Sequence, residues 1–330
     1  MDQPVRARFW TAEAAGVHCR LCPVECLIAE GKAGRCLGRR NAGGVLLAES
    51  YGRVVSLAVD PIEKKPLYHF LPGSQILSTA TYGCNLACPF CQNAEISQSR
   101  AGWQYLAPHG LVELARRHGT PSLAFTYSEP GVWFEYVVDS ARLARAAGIR
   151  TVLVTNGLLA DEPRDELLPL IDALNIDLKS IRPDFYRDYV RGDLDSVLAT
   201  IRSARARCHV ELTNLIIPGR NDSEADITAL VDFVAGLGAD TVLHFSRYFP
   251  RHRATEPATP VATLARALEV ARRRLRYVYL GNVGGSRGRD TSCPACGRVQ
   301  VTRGDGNVRV VGVDGGRCTG CGRPADLVLA

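Results

Sequence analysis

Twelve cysteines stand in a chain of 330 residues, and their grouping matters more than their number. They fall at 19, 22, 26 and 36; at 84, 88 and 91; alone at 208; and at 293, 296, 318 and 321. In a reducing compartment, thiols clustered this way are metal ligands more often than disulfides. The segment TYGCNLACPFCQN (81–93) has C-x3-C-x2-C spacing. Cys84, Cys88 and Cys91 therefore share one short loop and can converge on one cluster. An iron–sulfur cluster normally takes four cysteines, so three leave an iron without a protein ligand. An open position of that kind lets a metal centre bind and activate a substrate. Tetrahedral zinc is the rival, and it needs a fourth ligand from elsewhere.

The two flanking quartets have different spacings. Cys19, Cys22, Cys26 and Cys36 follow C-x2-C-x3-C-x9-C, with Gly31 and Gly34 placed to turn Cys36 back onto the first three. Four ligands suit zinc or a second iron–sulfur cluster, and the spacing does not decide the metal; buried free thiols are the bland alternative. Cys293, Cys296, Cys318 and Cys321 form CPAC and CTGC pairs, each followed by Gly. Two such knuckles on short β-like runs (VQVTR, VRVVGV) predict a zinc ribbon, whose metal supplies folding energy. A rubredoxin-like iron carrier is the sharper alternative there. Cys208, alone before a strand, reads as a small buried hydrophobe.

The elements that position these groups alternate in type. Strand-like runs occupy 76–82, 122–127, 150–155, 173–178, 210–217, 240–245 and 276–280. Helical periodicity lies between several of them: Ile227, Leu230, Val231 and Val234, and again Val261, Leu264, Ala265 and Leu268, follow i, i+3, i+4, i+7. Thr259 and Pro260 predict a helix start, with a capping hydroxyl and Pro at the first helical position. Repeated βα units with right-handed crossovers predict an α/β fold, either a doubly wound sheet or a full or partial barrel. The three-cysteine loop then follows the C-terminal end of the first strand, the edge where barrel active sites form. Residues 1–70 and 286–330 break the pattern and predict small metal-stapled modules around a core at 71–285.

Charge and composition exclude other classes. The excess of 40 Lys and Arg over 34 Asp and Glu gives +6. Its runs, Arg116-Arg117 and Arg272-Arg273-Arg274, fit helix C-terminal turns, where positive charge suits the dipole. No aromatic-interleaved basic stretch accompanies them, so nucleic acid is not the expected partner. No run approaches the roughly 18 apolar residues of a membrane span, and MDQPVRARFW lacks a signal-peptide core. A cytoplasmic protein is expected.

With a glycine before the cysteine loop and Phe90 just before its last cysteine, the sequence resembles the radical S-adenosylmethionine superfamily. The resemblance implies a partial (β/α)6-type barrel and a [4Fe-4S] cluster on Cys84, Cys88 and Cys91. The bare iron chelates the amino and carboxylate groups of S-adenosylmethionine, which is cleaved reductively to a 5′-deoxyadenosyl radical. It also implies a one-electron donor such as flavodoxin or ferredoxin. Successive strand ends supply groups for a zwitterion: Glu129 in FTYSEP, Thr155 and Asn156 in TNG, Asp177 and Lys179 in DLK. By resemblance Glu129 meets the cofactor's amino group, Lys179 its carboxylate and Phe90 its adenine, while Thr155, Asn156 and Asp177 complete the S-adenosylmethionine site. Tyr127 and Ser128 stand where the family often has two glycines, and Val154 where several members have Asp.

TNG, DLK and the IPG of LIIPGRND resemble the glycyl-radical-enzyme activases, whose substrate is a backbone glycine. CRLCPVECLIAEGKAGRCLGRR, DPIEKKPLYHF and GNVGG before the four-cysteine tail resemble the AmmeMemoRadiSam-system radical enzymes. That likeness implies an unidentified substrate and a Memo-like partner protein. An activase and a non-catalytic zinc-binding adaptor are the competing readings. His244, Arg247 and Tyr248, after the sixth strand, have no assigned role.

Overall fold

All seven strand-like runs form strands, and they pair in chain order. The computed structural model describes residues 5–284, 288–304 and 307–329. The central sheet comprises β1 (Ser56–Pro61), β2 (Gln75–Ala80), β3 (Ser122–Phe125), β4 (Arg150–Thr155), β5 (Ala173–Asp177), β6 (His209–Ile216), β7 (Val242–Arg247) and β8 (Val278–Gly281). Strands β2 to β8 are parallel neighbours in sequence order, and β1 adds an antiparallel edge beside β2. The crossover helices are α1 (Pro108–Arg117), α2 (Phe134–Ala146), α3 (Asp161–Leu167), α4 (Leu194–Arg205), α5 (Glu224–Leu237) and α6 (Val261–Arg272). Because the strand order never reverses, right-handed crossovers lay every helix on the same face. The sheet is therefore wound in one direction, with six βα units, and stays open between edges β1 and β8. The doubly wound alternative is discarded.

Alternation along each strand separates the two faces. Leu77, Leu123, Phe125, Leu153, Leu174, Leu212 and Phe245 are buried in the main core with helix residues such as Leu111, Val137, Ile201, Ile227 and Leu264. Ile227, Leu230, Val231 and Val234 are all buried, as their spacing predicts. On α6 the buried stripe comprises Thr263, Leu264, Ala267, Leu268 and Ala271, leaving Val261 exposed on the first turn and Ala265 half-buried. The helix also begins one residue later than expected, with Pro260 as N-cap and no hydroxyl cap. Thr259 instead donates to the Ile216 carbonyl at 2.6 Å and accepts from Tyr248 N–H at 2.9 Å. Both backbone groups sit at buried strand ends, where an unpaired group costs more than at a solvated helix start.

The inner face is closed at its N-terminal half by the segment after β1. Ile62, Leu67, Phe70 and Leu71 form a second core with inward-facing Ile76, Ala124, Val152 and Ala173. Glu211 lies fully buried beside them; its carboxylate accepts from the backbone N–H groups of Tyr68 and His69 at 2.9 and 2.7 Å and pairs with His244 at 2.6 Å. His244 is thereby a buried partner of the plug. DPIEKKPLYHF is the stopper of the sheet.

Both flanks are sets of short strands. The N-terminal stretch forms sheets of Val5–Arg6, Arg39–Ala42 and Val45–Ala48, and of Trp10–Glu13, Gly16–Cys19 and Leu27–Ile28. The C-terminal stretch pairs Thr291–Ser292, Val299–Gly304 and Asn307–Val310, and its tail docks on the plug through Leu71 N–H to Val328 O at 2.8 Å and Val328 N–H to His69 O at 2.7 Å. The last glycine of GNVGG, the first residues of the 286–330 stretch and residues 1–4 lie outside the described residues.

Candidate active site and metal centres

The three-cysteine loop leaves β2 at the C-terminal edge of the parallel strands. Gly83 has φ +95°, and a β-carbon there would lie 2.0 Å from the Cys36 carbonyl oxygen, so the position requires glycine. Cys88 is buried, while Cys84 and Cys91 are partly exposed. The Leu86 N–H donates to Cys84 Sγ at 3.4 Å and Asn156 Nδ2 to the same sulfur at 3.6 Å, while Cys91 Sγ lies 3.0 Å from Ser97 Oγ. Burial pushes the Cys88 thiol up to about 11 and the Cys84 thiol well above its ordinary value. A bound cation would reverse this, because metal ligation deprotonates a thiol outright.

Glu129, 2% exposed, follows β3 and sits behind this loop. Oε1 accepts from Thr155 Oγ1 at 2.7 Å and from Gly131 N–H at 2.7 Å, and Oε2 accepts from Asn156 N–H at 2.8 Å. A carboxylate offers about four acceptor positions. Three are filled by the protein, which fixes the group's orientation and leaves one on Oε2. Burial raises the Glu129 carboxyl, opposed by the Asn156, Thr155 and Gly131 donors. An ammonium at the remaining position would stabilise the ionised form.

Lys179 and Asp177 leave the end of β5 together. Lys179 Nζ lies 3.0 Å from Asp177 Oδ2 and 5.8 Å from the centre of the Phe90 ring. Burial lowers the Lys179 ammonium, but the Asp177 carboxylate beside it opposes this and the net direction is upward. Asp177 thus favours the cationic form of Lys179 beside the loop. Phe90 is buried against Tyr189 and Phe185, with ring centres at 5.6 and 6.5 Å. Asn221, in the IPG turn after β6, ties that turn to the site by donating to the Lys179 carbonyl at 2.7 Å.

The strand ends thus gather a fixed anion, a cation and three thiols around one loop. This arrangement fits a sulfur-bound cluster with a zwitterionic ligand beside it. Asn156 links the two halves, donating to Asn85 Oδ1 at 2.8 Å as well as to Cys84.

Sulfur spacing differs between the metal-ligand sets. Four thiolates at ~2.3 Å from a tetrahedral ion lie about 3.8 Å apart. Cys293 and Cys321 have Sγ atoms 3.6 Å apart, as do Cys296 and Cys318. Among the described residues, this quartet alone gathers three or more metal-ligating atoms within 4.8 Å of one another. Gly320 N–H donates to Cys318 Sγ at 3.4 Å, and this and neighbouring N–H groups bring that thiol down to about 6. Neither Cys84, Cys88 and Cys91 nor the N-terminal quartet reaches such spacing. Cys19, Cys22, Cys26 and Cys36 do line one shared cavity. Cys208 is half-buried, its thiol donating to the Ala204 carbonyl at 3.3 Å.

Sequence reasoning missed Asp60, Lys65 and Tyr127, which meet on the inner face. Lys65, 1% exposed, donates to Asp60 Oδ2 at 2.7 Å and to Tyr127 Oη at 3.1 Å, and Tyr127 also donates to Asp60. Burial raises Asp60, but Lys64, Lys65 and Tyr127 together hold it well below the usual carboxylate range. Tyr127 has φ +66°, which aims its ring downward from the Glu129 loop. The signal was visible in DPIEKKP, an acidic residue followed by paired lysines, but the partner lay 62 residues away.

A model of the radical SAM superfamily matches residues 78–234. The chain is 42% identical over 322 residues to an uncharacterized protein of Methanocaldococcus jannaschii, spanning 95% of this chain and 96% of that one. It is 33% identical over 184 residues to the GTP 3′,8-cyclase of Geobacter sulfurreducens, spanning 53% of this chain and 55% of the cyclase. The structure of Streptococcus suis SuiB bound to S-adenosylmethionine superposes with a TM-score of 0.51 at 15% identity, over 62% of this chain and 50% of that one, a likeness of fold. The chain belongs to the radical SAM superfamily and is one of its enzymes. It uses the [4Fe-4S] cluster and S-adenosylmethionine that define that superfamily. No helix among the described residues is long and apolar enough to cross a membrane.

Proposed function

We propose that Cys84, Cys88 and Cys91 hold the [4Fe-4S] cluster and that Phe90, Glu129, Thr155, Asn156, Asp177 and Lys179 form the S-adenosylmethionine site. The chemistry the cluster supplies when bound is one-electron cleavage of the cofactor's C–S bond. The observation that carries the reading is the Glu129 carboxylate, held by three donors with one acceptor position spare beside the cysteine loop. Thr155 and Asn156 keep it from rotating, so the amino group meets a preset partner. Lys179 supplies the complementary charge for the carboxylate, and Asp177 steadies its ammonium. The substrate is met on the inner face, where the Asp60–Lys65–Tyr127 group lies between the loop and the plug. That substrate is presented within a Memo-like multi-protein system, and a flavodoxin or ferredoxin supplies the electron. In this reading residues 1–70 are a cysteine-rich module that lends β1 to the sheet of a 71–285 core, and 286–330 are a zinc ribbon.

Anaerobic reconstitution followed by an assay for 5′-deoxyadenosine tests the cofactor site. Product that appears with reductant and disappears in Cys84→Ala supports it; unchanged product in that variant refutes it. Deuterium transfer into 5′-deoxyadenosine from labelled candidates then identifies the substrate, and transfer from a backbone glycine of a glycyl radical enzyme would make the protein an activase instead.

A further inference from the structure

We propose that Cys19, Cys22, Cys26 and Cys36 hold a second iron–sulfur cluster, and that it passes electrons to the three-cysteine cluster across Asn85, which lines the N-terminal cavity and adjoins Cys84. The electron-relay part rests on the function proposed above; the cluster itself does not.

The molecule supplies its own ruler for the metal. Its C-terminal thiols already stand at single-ion spacing, with paired sulfurs 3.6 Å apart. The N-terminal thiols all line one cavity, with Leu21, Val24 and Ile28. Yet no three of them approach within 4.8 Å, and in this they match Cys84, Cys88 and Cys91. A four-iron core holds its thiolates on separate irons and so spaces them more widely than one ion can. One zinc, or one rubredoxin-like iron, would require the sulfurs to be drawn together inside a packed module. Four thiolates also leave no iron open, which restricts such a cluster to carrying electrons or holding structure.

The surroundings suit a redox group. Cys19, Cys22 and Cys36 are buried and Cys26 is half-buried, in a cavity lined by Leu21, Val24, Ile28 and Val132 beside Arg35 and Arg39. Arg39, 1% exposed, donates to Cys19 Sγ at 3.9 Å while its other terminal nitrogen pairs with Glu135. A buried guanidinium against a ligating sulfur favours the more negative, reduced cluster.

The two sites touch. Asn85 lines the N-terminal cavity together with Cys22, and it is the covalent neighbour of Cys84. Gly83 packs against the Cys36 carbonyl. One side chain therefore separates a ligand of one centre from a ligand of the other. A reduced flavodoxin or ferredoxin gives one electron to the N-terminal cluster; that cluster is reoxidised by one electron as the three-cysteine cluster is reduced by one, with no proton or atom transferred.

The test is metal analysis of the full chain with Cys84, Cys88 and Cys91 all changed to Ala, produced anaerobically with iron and sulfide. The expected variant keeps about four iron atoms and one zinc, and its reduced electron paramagnetic resonance signal ignores S-adenosylmethionine. Two zinc atoms and no iron would overturn the proposal. In the wild type, Mössbauer spectra should contain two cluster populations of which only one shifts with S-adenosylmethionine; a single population would also overturn it, and this measurement needs no variant to fold. For the relay, Cys22→Ser should leave a cluster that shifts with S-adenosylmethionine and accepts electrons from dithionite but not from reduced flavodoxin. Equal reduction of both proteins by flavodoxin would overturn the relay alone. Absence of any cofactor-sensitive cluster in Cys22→Ser, with iron retained in the triple variant, would instead fault the reading of the three-cysteine loop.

Discussion

Replacing Glu129 with Gln removes one charge and almost no volume, which makes it a sharp probe of the cofactor site. In the native protein Oε1 takes two donors and Oε2 takes one. An amide has only one acceptor end. With its nitrogen at the Oε1 position, it faces the Gly131 N–H; with its nitrogen at the Oε2 position, it faces the Asn156 N–H. Thr155 can turn its hydroxyl to accept, but a backbone N–H cannot. Either orientation leaves one buried donor against a donor, a loss of ~1–3 kcal/mol of stability. The same substitution removes a charge-assisted hydrogen bond to the cofactor's ammonium, about 1.5–3 kcal/mol. At 1.4 kcal/mol per decade, binding of S-adenosylmethionine should weaken roughly ten- to a hundredfold. The assay is titration of the cofactor into reconstituted protein, followed by the cluster's paramagnetic resonance, with iron content measured in parallel. Intact cluster and unchanged affinity would refute the assignment of Glu129 to the amino group. Lost affinity with lost iron would show instead that the carboxylate only supports the cysteine loop.

Three further outcomes follow from the geometry. Gly83→Ala should hinder cluster assembly at both adjacent cysteine sets, because its β-carbon would meet the Cys36 carbonyl at 2.0 Å; normal iron content would contradict the packing. Cys318→Ser should release the C-terminal metal and open 291–328 to proteolysis, whereas a ribbon that stays protected without metal would show that the Val328 and His69 contacts suffice. Burial brings the His69 imidazole down to about 4, below its unfolded value of about 6.5. The unfolded chain then binds the extra proton between those values, so stability is full above pH 6.5 and falls as pH drops to 4, by about 3 kcal/mol in all. Urea midpoints at pH 7 and pH 4.5 should separate less in His69→Gln than in the wild type, and equal separation would remove His69 from the account.

His69 also explains how the C-terminal module is held. Its Nδ1 lies 2.6 Å from the Asp326 carbonyl, which can only accept, so Nδ1 carries the proton. Nε2, bare, accepts from the Tyr279 hydroxyl at 2.6 Å, and Tyr279 lies 2.7 Å from Thr291 Oγ1, to which Arg303 donates at 2.8 Å. One donor chain thus runs from the C-terminal module through the last strand of the sheet to the plug and back to the chain's tail. A proton added to His69 Nε2 would reverse the Tyr279 link: the hydroxyl would then have to accept from the ring and donate to Thr291.

Local chemistry decided much of this protein before any folding. The three-cysteine spacing, the strand-forming runs and the groups at their C-terminal ends are properties of adjacent residues. A period-2 strand followed by a period-3.6 helix fixes which end of each strand carries the loop. So Glu129, Thr155, Asp177 and Lys179 were legible as strand-end groups, and the four C-terminal thiols as two knuckles.

Tertiary structure decided what depends on distance along the chain. Thr259 reads as a helix cap until the Ile216 carbonyl, 43 residues away, claims its hydroxyl. Asp60 and Lys65 look like surface charge until Tyr127 arrives from another strand. Sheet direction, too, came from pairing order, since βα repeats fit either winding. Most of all, spacing in sequence could not tell a zinc set from a cluster set, because C-x2-C brings two thiols near each other whatever they bind. The separation of sulfurs contributed by distant turns is what bears on that distinction, and separation is a property of packing.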